Sequence, residues 1–191
     1  MREALPWIAF AAVFFALPGY LVLGSQILIT ALFALSLDLI LGYAGIVSLG
    51  HAAFFGLGAY TAGLLAIHGW NEPLSGLVAA AVVAASAGFL SSFLVVRGDD
   101  LARLMVTLGI GLLLYEAANR ASGFTGGVDG LSGITMGKLF GVFAFDLAGR
   151  TAYLYSFAIL LAVFMLLRRI TRSAFGLALR GIRDNPRRMA A

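Results

Sequence analysis

The sequence predicts an all-α fold, a polytopic transmembrane bundle of about six spans, some of them short or broken. Of its 191 residues, 61% are hydrophobic and only 12% are charged, whereas a soluble domain carries about 25% charged residues. The apolar residues gather in six runs separated by polar or glycine-rich breaks. A chain in lipid must satisfy its own backbone hydrogen bonds, so such runs indicate membrane helices.

The six runs define the candidate spans in order. They cover residues 7–23, 26–41, 52–67, 74–96, 101–119 and 151–167. Several are shorter than the roughly 20 residues that a straight helix needs to cross the hydrocarbon core. We therefore expect bent or broken segments, above all around Pro18-Gly19 and across residues 42–50.

The distribution of charge predicts the orientation. Seven of the thirteen basic residues follow Leu167, against a single acidic residue. Basic segments next to membrane spans mark the cytoplasmic side. Residues 1–167 then form the transmembrane region, residues 168–191 a basic cytoplasmic segment and residues 120–150 an extracytoplasmic loop, with both termini cytoplasmic. Trp7, Trp70, Tyr153 and Tyr155 lie at span ends, as is typical of interfacial aromatic residues.

The long loop divides into two parts. Residues 124–134 are rich in glycine and predict turns, and residues 141–149 alternate in polarity and predict a short strand or an interfacial segment. The loop is either a simple external connection or a cap and docking site for an external partner.

Polar residues within or beside apolar runs are candidates for a solute pathway. Asp38, Ser48 and His51 bring charged or hydrogen-bonding atoms near the apolar layer, and Gly50 lies among them. Intramembrane polar groups are costly and usually face protein or water. For His51, an interfacial position bonded to a carbonyl is an equal alternative.

Two other acidic residues have basic neighbours at helical spacing. Glu116 has Arg120 four residues later, and Asp99 has Arg103. We expect both pairs to be local bridges on a helix surface.

Glycines in the segment 42–65 indicate close helix packing. The pairs Ala52-x-x-x-Gly56 and Ala59-x-x-x-Gly63 place small residues one helical turn apart, which lets helix backbones approach closely. We assign Gly42, Gly45, Gly56 and Gly63 to packing.

Several classes of site are excluded by pattern. Gly126-Gly127 is followed by Val128 and Asp129 rather than by the Gly-Lys-Ser/Thr of a phosphate-binding loop. Cysteine is absent and there are only two histidines, so we expect no metal and no cofactor. No catalytic constellation can be assembled, and we expect a chain that is not an enzyme and does not hydrolyse ATP itself.

The basic tail predicts an amphipathic helix. Ser173 is a capping-type residue, Phe175, Leu179 and Ile182 follow near helical spacing, and Pro186 ends or bends the helix. Such a helix could lie on anionic lipid. Alternatively, it could dock a cytoplasmic protein through its apolar face, with Arg180, Arg183 and Asp184 setting the orientation.

Four motifs in order carry a family resemblance. Residues 38–65 (DLILGYAGIVSLGHAAFFGLGAYTAGLL), 95–109 (VVRGDDLARLMVTLG), 124–134 (FTGGVDGLSGI) and 175–188 (FGLALRGIRDNPRR) resemble the permeases of branched-chain amino acid ABC transporters. The resemblance spans nearly the whole chain, and an ordered set of four motifs is far more specific than any single glycine pattern.

This resemblance implies a translocation subunit in the bacterial inner membrane. Its partners would be a second permease subunit, two cytoplasmic ATP-binding subunits and an extracytoplasmic solute-binding protein that delivers leucine, isoleucine or valine. The implied ATPase-coupling region contains Phe175, Leu179, Arg180, Gly181, Ile182, Arg183 and Asp184. Members are longer, so we expect a chain truncated at its C-terminus, about the first two-thirds of a member. A permease for another small solute such as a sugar, and a non-transporting membrane scaffold, are the alternatives.

Overall fold

The structure is a computed structural model that describes residues 5–96 and 100–184. Over these residues the chain is all-α. The helices are α1 (Leu5–Ala16), α2 (Leu21–Asp38), α3 (His51–Ile67), α4 (Pro73–Val95), α5 (Asp100–Arg120), α6 (Ser122–Thr125), α7 (Arg150–Thr171) and α8 (Ala174–Asp184). A 3₁₀ turn at Pro18–Tyr20 precedes α2, a π-helical turn at Leu39–Tyr43 extends it, and a further 3₁₀ turn covers Gly127–Asp129.

Four helices in the described ranges are long and apolar enough to cross a membrane. They are Pro18–Tyr43, which joins α2 to its flanking turns, and α4, α5 and α7. The apolar helices α1 and α3 are shorter. The expected bundle of about six apolar helices, some of them short, is confirmed.

The predicted irregular segments are confirmed, but one span boundary is wrong. The chain breaks between α1 and α2 at Leu17-Pro18, and it leaves the helix again after Tyr43. The polar gap expected at Gly24-Ser25 lies inside α2 instead. There, the Ser25 hydroxyl donates to the Val22 carbonyl at 2.7 Å, so the helix carries this polar group without interruption.

The chain divides into two compact units, which we describe separately. Unit 1 comprises Met1–Gly45 and Ala144–Ala191, and unit 2 comprises Ile46–Phe143.

Unit 1 is centred on parallel helices α2 and α7. Leu21, Leu28, Tyr153 and Leu160 form its buried core. At the start of both helices, a Cβ atom at Gly24 would lie 2.6 Å from Cε2 of Tyr153, so the glycine makes room for the ring. Helix α1 runs antiparallel to α7.

Tyr153 is not the interfacial residue that its position at a span end predicted. Its side chain is 1% exposed, and its hydroxyl donates to the Phe10 carbonyl at 2.7 Å. The apolar ring fills the core while the hydroxyl satisfies a backbone acceptor of α1.

In unit 2, α3 packs antiparallel to α4 and parallel to α5. Gly58 faces α4, since its Cβ position lies 3.7 Å from the Ala80 carbonyl oxygen. At the beginning of α3, the Leu49 backbone N–H donates to the Thr107 hydroxyl of α5 at 3.2 Å.

The loop after α5 begins with turns, as predicted. Gly126, Gly127, Gly130 and Gly133 all have positive φ, a conformation that glycine adopts without steric cost. Of the two structures expected over residues 141–149, a short strand or an interfacial segment, the strand does not form. Instead, one antiparallel bridge joins Leu139 to Phe143.

The local ion pairs are partly as predicted. Arg120 pairs with Glu116 at 2.6 Å, which confirms that bridge. Arg103 pairs with Asp100 at 3.3 Å. Asp99, its predicted partner, and Pro186, the predicted end of the tail helix, lie outside the described residues.

Candidate functional site

The first candidate site lies in unit 1, where the C-terminal ends of α2 and α7 meet α8. The π-helical turn after Asp38 carries the chain to Gly45, which has a φ of +70°. This left-handed conformation ends the helix, as glycine commonly does at such positions. Gly45 therefore serves chain reversal, and the helix packing assigned to it stays a prediction.

Two arginines of α8 hold that helix against the end of α2. The guanidinium carbon of Arg180 lies 4.7 Å from the centre of the Tyr43 ring, within the range of a cation–π contact. Arg183 donates to the Gly42 carbonyl and pairs with Asp184 at 2.9 Å. A side chain at Gly45 would overlap Arg183, so this glycine also provides the space in which Arg183 lies.

The apolar residues of α8 are only partly covered. Phe175 is 63% exposed and Ile182 is 49% exposed, whereas Leu179 and Gly181 are half-buried. Leu177, which the helical spacing did not single out, is 65% exposed. Phe175 and Ile182 are seven residues apart and share one face of α8, whereas Leu177 lies on the opposite face.

Asp38 lines a cavity in the same corner. The cavity has a volume of about 440 Å³. Its walls are Leu35, Asp38, Leu39, Tyr43, Phe164, Leu167, Arg168, Thr171, Arg172 and Arg180. The Asp38 carboxylate is on the same side as Gly42, where a Cβ atom would lie 2.6 Å from Oδ1. Gly42 therefore makes room for the Asp38 side chain at i−4, and its assignment to helix packing stays a prediction.

The second candidate site is a groove of about 630 Å³ between α3 and α5 in unit 2. Gly50 forms one end, where a Cβ atom would overlap the Thr107 carbonyl. The rest of the wall is mostly aliphatic, with polar groups from Tyr60, Thr61, Tyr115, Asn119 and Thr125. An apolar groove with only a few polar groups suits a ligand that is largely hydrophobic.

The remaining pathway candidates do not line this groove. Ser48 is half-buried in the segment before α3, and His51 is the half-buried first residue of α3. Neither belongs to the groove's wall as described. Asp38 belongs to unit 1 and the other three candidates to unit 2. Their joint role in a pathway stays a prediction.

Comparison with known proteins decides the family. The family model described as the permease component of the branched-chain amino acid transport system matches residues 19–191. The chain belongs to this family.

Two curated members of the permease family are similar over most of this chain. Both bear the name high-affinity branched-chain amino acid transport system permease protein LivM. The protein of Salmonella typhimurium is 32% identical over 210 aligned positions, which cover 95% of this chain and 48% of the relative. The Escherichia coli protein is 31% identical with the same coverage. The chain thus spans about half the length of the curated relatives it matches, and no solved structure matches it.

Within this chain, the predicted packing glycines have different surroundings. Gly63 packs against the loop, since its Cβ position lies 2.8 Å from Cδ1 of Leu131. At Gly56, no described atom comes within 4 Å of the Cβ position, and Gly56 lines the groove. Its assignment to a close helix contact stays a prediction, and Gly58 contacts α4 instead.

Three residues that matter to the two candidate sites were missed in the sequence. Tyr43 and Thr107 each follow an unremarkable apolar run. Gly111 contacts the segment before α3, since its Cβ position lies 3.3 Å from the Gly50 backbone. Thr107 had a detectable signal, because it is a single hydroxyl in the apolar stretch of α5. Tyr43 and Gly111 show their roles only through residues distant in sequence.

Proposed function

We propose that this chain is the membrane-spanning permease part of an ABC importer for branched-chain amino acids, located in the bacterial inner membrane. The observation that carries the proposal is the family match over residues 19–191. The names of both curated relatives add to it, since each is a permease of a high-affinity branched-chain amino acid transport system.

In this proposal, separate subunits supply energy and solute. Two cytoplasmic ATP-binding subunits drive a pair of permeases, of which this chain contributes to one, and an extracytoplasmic binding protein delivers the amino acid. Both termini are cytoplasmic. The helix directions support this topology, because parallel α2 and α7 would both run toward the cytoplasm and α1, antiparallel to α7, would run outward.

The groove between α3 and α5 is the better candidate for the solute path in unit 2. Its walls are largely aliphatic, as are the side chains of leucine, isoleucine and valine. Tyr60, Thr61 and Asn119 offer the few polar groups that an amino acid's charged ends require. Asp38, Ser48 and His51 remain candidates for other parts of the path.

Helix α8 is the proposed contact with the ATP-binding subunit. Phe175 and Ile182 supply exposed apolar surface for this contact. Arg180 and Arg183 contact the end of α2. Their role would therefore not be limited to binding the partner, because they would also transmit a displacement of α8 to α2. Helix-in-groove contacts of this kind depend on a few apolar anchors.

Replacing both Phe175 and Ile182 with serine tests the contact. Burying a Phe or Ile side chain contributes about 1.5–3 kcal/mol, so losing both should reduce the amount of co-purified ATP-binding subunit by more than tenfold. The matched control is Val128→Ser with Leu147→Ser, because both residues are strongly exposed apolar residues of the proposed external loop. Equal co-purification of the α8 variant and the control would refute the contact.

A further inference from the structure

The cavity beside Asp38 combines two kinds of surface that a phospholipid requires. Leu35, Leu39, Phe164 and Leu167 supply apolar walls, and Arg168, Arg172 and Arg180 supply three guanidinium groups. Its volume of about 440 Å³ is in the range of small-molecule sites, which is about 300–1,000 Å³.

The two surfaces are separated along the helix axis. Phe164 of α7 and Arg172, the residue that caps its C-terminus, are eight residues apart, which corresponds to about 12 Å along an α-helix. Because α7 is an apolar helix of membrane-spanning length, Phe164 lies on the side of the hydrocarbon and Arg172 at the end where the helix leaves it. The cavity wall thus changes from apolar to basic in the same direction in which a lipid changes from acyl chain to headgroup.

Charge favours an anionic headgroup over a zwitterionic one. The walls carry three arginines against one carboxylate, that of Asp38. Basic pockets between transmembrane helices are typical sites for acidic lipids. Arg180 is oriented by its contact with Tyr43, which lowers the entropy that ordering this side chain on a ligand would cost.

From this arrangement we infer that the cavity formed by the ends of α2 and α7 and by α8 is a binding site for an anionic phospholipid. The arginines contact the headgroup phosphate, and the leucines and Phe164 contact the beginning of an acyl chain. The exposed residues Phe175 and Ile182 are not part of its wall, so a bound lipid leaves the proposed ATPase contact accessible. Lipid binding at this site requires that the chain is inserted in a membrane. It does not depend on which solute is transported.

The probe is phosphatidylglycerol, measured by native mass spectrometry on the purified chain in a nonionic detergent. Phosphatidylcholine with the same acyl chains tests for the negative charge, and inorganic phosphate tests for a free anion. We expect phosphatidylglycerol to bind more tightly than either. Equal binding of the two lipids, or full displacement of phosphatidylglycerol by inorganic phosphate, would overturn the inference.

Variants make the test specific to this cavity. An arginine near an acidic lipid contributes roughly fivefold in affinity, so Arg168→Gln with Arg172→Gln should weaken binding of phosphatidylglycerol about 25-fold. Arg169→Gln is the matched control, because Arg169 is on the same turn and is not part of the wall. An equal loss in the control would contradict the assignment.

Asp38→Asn provides a change in the opposite direction. Removing the one carboxylate of the wall should tighten binding of phosphatidylglycerol by about fivefold, by the same reasoning from charge. A misfolded variant cannot produce a gain in affinity. Unchanged or weaker binding by a folded Asp38→Asn variant would overturn the proposed position of the headgroup.

Discussion

Replacing Gly50 with alanine should destabilise unit 2, because the added methyl group has no room. Gly50 precedes α3 with φ −94° and ψ 2°, a backbone conformation that alanine also adopts. The effect of the substitution is therefore steric. A Cβ atom would overlap the carbonyl oxygen of Thr107, which is a backbone atom of α5 and cannot rotate away. The α3–α5 contact must open.

The size of this effect follows from the cost of overpacking. Inserting a methyl group into a packed site usually costs about 1–3 kcal/mol. For a chain of this length, 1 kcal/mol corresponds to roughly 2–4 °C in Tm, so a cost of about 2 kcal/mol predicts a decrease of about 4–8 °C.

Gly56→Ala is the matched control on the same helix. At Gly56, no described atom lies within 4 Å of the Cβ position. Alanine is preferred over glycine within a helix by roughly 0.5–1 kcal/mol, so this variant should have an unchanged or slightly higher Tm. Thermal unfolding of both variants in detergent, followed by size-exclusion chromatography, measures the difference. Similar Tm values for the two variants would refute the steric argument.

Two further predictions concern unit 1. Tyr153→Phe removes the hydroxyl that donates to the Phe10 carbonyl and should lower the stability by about 0.5–1.5 kcal/mol, the usual contribution of one hydrogen bond. Tyr20→Phe, at a 63% exposed position, should leave Tm unchanged, and equal shifts would contradict the role of the buried hydroxyl. Gly45→Ala and Gly69→Ala both place alanine at positive φ, but only the former also displaces Arg183. Gly45→Ala should therefore cause the larger decrease in Tm and the larger loss of co-purified ATP-binding subunit, and equal losses would exclude a role for the Arg183 contact.

Local patterns predicted most of the fold. The apolar runs predicted the helices, the glycines around residues 42–50 predicted the break after α2, and the i,i+4 spacing predicted the Glu116–Arg120 pair. Each depends on interactions between residues close in sequence, for which spacing is sufficient. Ser25 shows the limit, because its hydroxyl bonds to its own helix, so a polar residue did not indicate a boundary.

The candidate sites were less predictable because they depend on contacts between distant segments. Whether Gly56 or Gly58 approaches α4 depends on the rotation of α3 about its axis, which two glycines in a mostly apolar helix do not specify. Likewise, the burial of Tyr153 requires the space left by Gly24 on a parallel helix. The contact of Arg183 with Gly42 joins residues separated by 141 positions.

The most direct test of the proposed function is uptake of radiolabelled leucine. Cells that lack their own branched-chain importer would express the complete transport gene cluster, with and without the gene for this chain. The account predicts ATP-dependent uptake that requires this gene and is competed by isoleucine and valine but not by a sugar. Uptake that is unchanged without the gene, or that a sugar inhibits instead, would contradict it.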